Sequence, residues 1–134
     1  MNRTKSREVA LELVFQMMLN KENSEETFES FMENTDYDIS ELDINYIKSI
    51  MEGIDSKKEE LDLEIEKYMV NWKLPRISKV NHSILRIGAY EILYLKDVPY
   101  KVAINEALEL TRKYSEDKSV SFINGVLDKI SKNK

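Results

Sequence analysis

The chain has 134 residues, no cysteine, one histidine and a net charge of −5. That is enough chain for one domain with a real core, and it excludes a disulfide framework, a thiolate metal site and a multi-histidine site. No apolar run approaches the roughly 18 residues of a membrane span. The basic N-terminus runs into "VALELVFQMML", which carries Glu and Gln and no cleavage-like site, so a soluble, cytoplasmic protein with no membrane partner is expected.

Three glycines and two prolines interrupt the chain, and no segment sustains a period of two. The expected fold class is all-α, with about seven helices. The first covers about 3–20, with Ala10, Leu13, Val14, Met17 and Met18 facing inward. The second covers about 24–34 and is opened by Asn23 with Glu26 three residues on. A third, about 41–54, has Ser40 as N-cap with Asp43 as its box partner, and Ile39 and Ile44 at the staple positions. A fourth, about 57–71, is opened by the S-x-x-E box Ser56–Glu59 and carries Leu61, Ile65, Tyr68 and Met69 as its stripe.

Pro75, in "NWKLPRIS", disfavours helix at Leu74 and marks a boundary between subdomains 1–74 and 75–134 of a single domain, 1–134. The fifth helix, about 76–95, is apolar around most of its circumference and is expected to be central. "KDVPYK" turns into a sixth helix, about 99–114, with Pro99 at its first position. The seventh covers about 117–131.

Charge is divided unevenly. Residues 22–66 hold 16 acids and 3 bases, net −13, and the remainder hold 9 acids and 17 bases, net +8. A basic surface focuses anionic ligands even on an acidic protein, although both runs also read as solvated helix faces. No P-loop, G-x-G-x-x-G, G-x-S-x-G, H-E-x-x-H or Glu-x-x-His pattern occurs. The carboxylates cluster on faces that read as solvated, and His82 reads as a partly exposed helix residue. A binding role is expected, with no enzymatic activity, no cofactor and no metal site.

The last helix poses a question. In "SVSFINGVLDKI", Phe122, Ile123, Val126, Leu127 and Ile130 have helical spacing, yet Gly125 stands at the centre, where glycine costs about 1 kcal/mol against alanine. Gly125 is expected to let the sixth helix approach closely. Asn124, and Asn105 in "AINEA", are expected to be buried amides that tie helices together.

Two stretches, "ILRIGAYEILYLKDVPYKVAINEALELTRKY" and "SFINGVLDKI", closely resemble the C-terminal signature of the NusB family of bacterial transcription antitermination factors. Arg3, Arg7, Glu8, Ala10 and Gln16 match its N-terminal pattern. The resemblance runs almost end to end and is specific over 80–130. It implies two packed three-helix-bundle subdomains, the first of them including the N-terminal helix. It also implies binding of single-stranded boxA RNA of ribosomal RNA operons, with the small-subunit ribosomal protein NusE as partner. The pair would help RNA polymerase read through terminators as part of its antitermination complex. Self-association through the RNA face in some members adds a homodimer to the expectations.

Candidate site residues follow. Arg3, Lys5 and Arg7 stand at the start of the first helix, where cations oppose the macrodipole, so they are candidates for phosphate contact. On spacing alone Phe122 is either core or a stacking platform. The family resemblance favours stacking, with Lys118, Ser119 and Ser121 beside it as further RNA contacts. Phe15, Asn81 and His82 fall at positions the resemblance connects with the protein partner, while core packing explains Phe15 equally well. Two other readings keep the fold: a helical protein-interaction domain without an RNA role, and an RNA-holding domain related to those of rRNA cytosine methyltransferases.

Overall fold

A computed structural model of the chain describes residues 2–70 and 73–134. The described residues form six α-helices and two 3-10 turns: α1 (Arg3–Asn20), α2 (Ser24–Asn34), a turn at Ile39–Glu41, α3 (Ile44–Lys67), a turn at Leu74–Arg76, α4 (Lys79–Tyr94), α5 (Tyr100–Tyr114) and α6 (Ser119–Lys132). The all-α expectation holds. None of these helices is long and apolar enough to cross a membrane. The chain divides into two compact units, Met1–Ser56 and Lys57–Lys134. That division falls inside α3, whereas the sequence reading put it at Pro75.

In the first unit α1 packs against α2. Asn2 caps α1 by accepting from the Lys5 N–H. Asn23 and Glu26 close the reciprocal box expected for α2. The cap of α3 is not Ser40, which lies in the 3-10 turn and bonds Asp38 through its N–H and Oγ. Asp43 caps α3 instead, accepting from the Tyr46 N–H at 3.1 Å. Leu42 and Ile47, the staple positions about that cap, are both buried.

The third and fourth predicted helices are one helix. Ser56 does not cap a new start; its Oγ donates to the Gly53 carbonyl within α3. The carboxylate of Asp55 accepts the otherwise orphaned N–H of Ser24 at the start of α2. Ile54 and Leu61, both buried, lie seven residues apart, so the apolar face stays in phase through the expected gap. The predicted end of the fourth helix at residue 71 lies outside the described residues.

In the second unit α4, α5 and α6 pack mutually as three helices, and α4 buries residues on nearly every side. The close approach expected at Gly125 occurs at Gly88. A Cβ built on Gly88 would lie 2.7 Å from Leu127 Cδ1, whereas nothing lies within 4 Å of one built on Gly125. Gly125, Asn124 and Asn105 are all exposed, so none of the three is the interhelical tie read from the sequence. The buried face of α6 is Ile123, Val126, Leu127 and Ile130, and that spacing turns residues 124 and 125 to solvent.

Candidate nucleic-acid interface

The N-terminal cations of the first unit are largely engaged within it. Arg3 donates from Nε and Nη2 to Asp43 Oδ2, at 3.2 and 2.9 Å, and its guanidinium lies 4.3 Å from the centre of the Tyr46 ring. The residue that caps α3 therefore also holds Arg3. Arg7 is 3% exposed and flanks the same ring at 5.5 Å. Its charge faces the interior of the unit, not solvent. Lys5 is half-exposed, 3.9 Å from Glu8 and 5.0 Å from the centre of the Tyr37 ring. A cation that opposes the macrodipole of α1 thus has a structural reason, which charge pattern alone does not disclose. Phe15 is partly buried.

The second unit brings the C-terminal candidates together. Lys118, Ser119 and Phe122 line a cleft of about 800 Å³ with Arg76, Asn81 and Tyr114, a size usual for small-ligand sites. Three segments build it: the turn entering α4, the end of α5 and the start of α6. Asn81 fixes their geometry. Its N–H bonds Ser78, the cap of α4, at 3.0 Å; its Nδ2 donates to Ser119 Oγ at 3.0 Å; its Oδ1 accepts from Ser115 Oγ at 2.7 Å. With both ends of the amide occupied and the residue buried, Asn81 joins α4 to the α5–α6 corner and positions the cleft wall. Ser119 accepts that bond and keeps a hydroxyl proton to give.

Above this wall stand the groups with chemistry to offer. Phe122 is partly exposed and Tyr114 is exposed, so two rings present π surface. Lys118 is 82% exposed, and among the described residues its ion pair is a 3.5 Å contact with Glu116, itself exposed. Such a pair contributes little and releases its lysine readily. Arg76 is exposed and, among the described residues, held by no ion pair. Ser121 is exposed and outside the cleft lining. Rings for a base and loose cations for phosphate are the elements of single-strand recognition. Arg76 and Tyr114 were missed in the sequence; the run Arg112, Lys113, Tyr114, an aromatic among cations, is the signal that could have found the second.

His82 belongs elsewhere, in an ionic cluster between α3 and α4. Its Nε2 lies 2.8 Å from Asp62 Oδ1, and Arg86 donates to both oxygens of Asp62, at 2.9 and 2.6 Å. Burial would raise the Asp62 carboxyl, but hydrogen bonds and charge from Arg86 and His82 outweigh it and hold it below its ordinary value. The cluster is a staple within the unit. Among the described residues no group of three His, Cys, Asp or Glu side chains could hold a metal.

Among the described residues, six helices with an aromatic and cationic cleft at an interhelical corner define a helical binding protein. The model of the NusB family matches residues 4–132, and the chain belongs to that family. It is 62% identical over 133 residues to the transcription antitermination protein NusB of Clostridium perfringens, covering 99% of this chain and 98% of that one. Among solved structures it resembles T. maritima NusB with a TM-score of 0.85 and 29% identity, over 99% of this chain and 92% of the other. It also resembles a chain from the antitermination factors NusB and NusE in complex with double-stranded RNA. There the TM-score is 0.82 and the identity 27%, over 98% and 96% of the two chains. The family is one of transcription antitermination factors, not enzymes.

Proposed function

We propose that this protein binds single-stranded boxA RNA of ribosomal RNA operons together with ribosomal protein NusE, and that the assembly promotes read-through by RNA polymerase in the bacterial cytoplasm. The observation that carries this reading is the cleft in which Lys118, Ser119 and Phe122 meet Arg76 and Tyr114. A base stacks on Phe122, and Lys118 and Arg76 take the flanking phosphates. The similarity to a NusB chain solved with NusE and double-stranded RNA supports NusE and RNA as partners; the single-stranded form rests on the cleft with its exposed rings. Because Arg3 and Arg7 are engaged inside their own unit, the RNA contact rests mainly on the second unit.

The test is binding of a labelled boxA oligonucleotide with and without NusE. Phe122→Ala should lose about 1–3 kcal/mol of RNA affinity, the worth of one stacked base, while NusE tightens binding by both forms. If Phe122→Ala binds as the parent does but melts far lower, the ring is core and the cleft is not the RNA site.

A further inference from the structure

Gly125 is exposed at the centre of α6, nothing lies within 4 Å of the place its Cβ would occupy, and its φ is not positive. No packing contact and no backbone conformation accounts for it, yet it weakens the helix relative to alanine. What it leaves is a bare stretch of helix backbone open to solvent.

Along one line of α6 that stretch lies among cations and a ring, with Ser121 and the ion-paired Asp128 to one side of the line. At about 100° per residue, Lys118, Phe122, Gly125 and Lys129 lie within an arc of about 60° around α6. Lys118 and Phe122 line the cleft. Lys129 is exposed, and no ion pair among the described residues holds it; the nearby Asp128 pairs with Lys132 at 2.9 Å. The face therefore runs from a cation and a ring, across a gap without a side chain, to a second loose cation. A protein partner would meet no apolar patch there, whereas alternating ring and cation suits a polyanion with bases.

We infer that Gly125 is where the sugar–phosphate backbone of a bound RNA strand passes directly over α6, between a base on Phe122 and a phosphate on Lys129. Absence of a side chain is the recognition feature: it lets the strand leave the cleft and lie against the helix. This rests on the RNA reading of the cleft, and it adds Gly125 and Lys129 to the contact surface.

The test uses the full chain, a boxA oligonucleotide and four variants. Gly125→Leu should raise the melting temperature, because leucine is the better helix former, and yet weaken RNA binding about tenfold, or about 1.4 kcal/mol. Lys129→Ala should weaken binding and flatten its salt dependence, with no change in melting. Asn124→Leu places the same bulk on the same helix outside the arc and should bind as the parent does. Phe122→Ala reports on the underlying reading. If Phe122→Ala weakens binding and Gly125→Leu does not, the passage over Gly125 is refuted while the cleft stands. If neither variant weakens binding, the cleft reading itself fails. Equal losses from Gly125→Leu and Asn124→Leu, or a lower melting temperature for Gly125→Leu, would also overturn the inference.

Discussion

Two glycines in helices of the same unit should respond in opposite directions to the same added methyl group. At Gly88 the new Cβ would meet Leu127 Cδ1 at 2.7 Å and Cδ2 at 3.1 Å. Leu127 is fully buried, so its side chain has no open space to retreat into. Overpacking of this kind costs about 1–3 kcal/mol, and the gain in helix propensity offsets about 1 kcal/mol of that. Gly88→Ala should therefore destabilise by up to about 2 kcal/mol, from the two ranges combined. At Gly125 the methyl meets nothing, and only the propensity term remains, so Gly125→Ala should stabilise by about 1 kcal/mol. Urea unfolding followed by circular dichroism reads both, with the midpoint moving and the slope unchanged. Equal stabilisation by the two substitutions would refute the close approach of α4 and α6 at Gly88.

Three further outcomes are expected. The Asp62 carboxyl titrates below its ordinary value of 3.8, so the folded state holds fewer protons than the unfolded state between the two values. Its contribution to stability is fully present above 3.8 and is lost as pH falls through the folded value. Asp62→Asn, which leaves Arg86 half-buried without its carboxylate, should cost about 1–3 kcal/mol at pH 7, and the gap to the parent should close in acid melts; a gap that persists unchanged at low pH would contradict this. Arg3→Ala should lower stability by about 0.5–1 kcal/mol through its lost contacts with Asp43 and Tyr46, and an unchanged melting curve would mean that Arg3 is held for another purpose. Lys118→Asp should weaken boxA binding and flatten the salt slope by roughly 0.7, one phosphate on a single strand, without lowering the melting temperature; a parallel salt series would remove Lys118 from the contact.

The helices of this protein are legible from its sequence where the signal is local. Asn23 and Glu26 close a box across three residues, and the apolar spacing names the whole buried face of α6 and half of that of α1. A local signal misleads when a longer one overrides it: Ser56–Glu59 has the form of a start, but Ile54 and Leu61 in phase keep α3 continuous. Burial of a charge is not local at all. Arg7 reads as a surface cation, and only the placement of Tyr46, 39 positions along the chain, draws it inside. Gly88 and Gly125 are alike as letters in helical stretches, and only the position of Leu127 separates the packed one from the bare one. The cleft is the extreme case. Arg76, Tyr114 and Phe122 belong to three segments, and the amide of Asn81 holds those segments together through single hydrogen bonds to Ser115 and Ser119. Helical periodicity is set by bonds four residues apart and is written along the chain; a binding corner is set by which segments meet, and that is decided only when the helices pack.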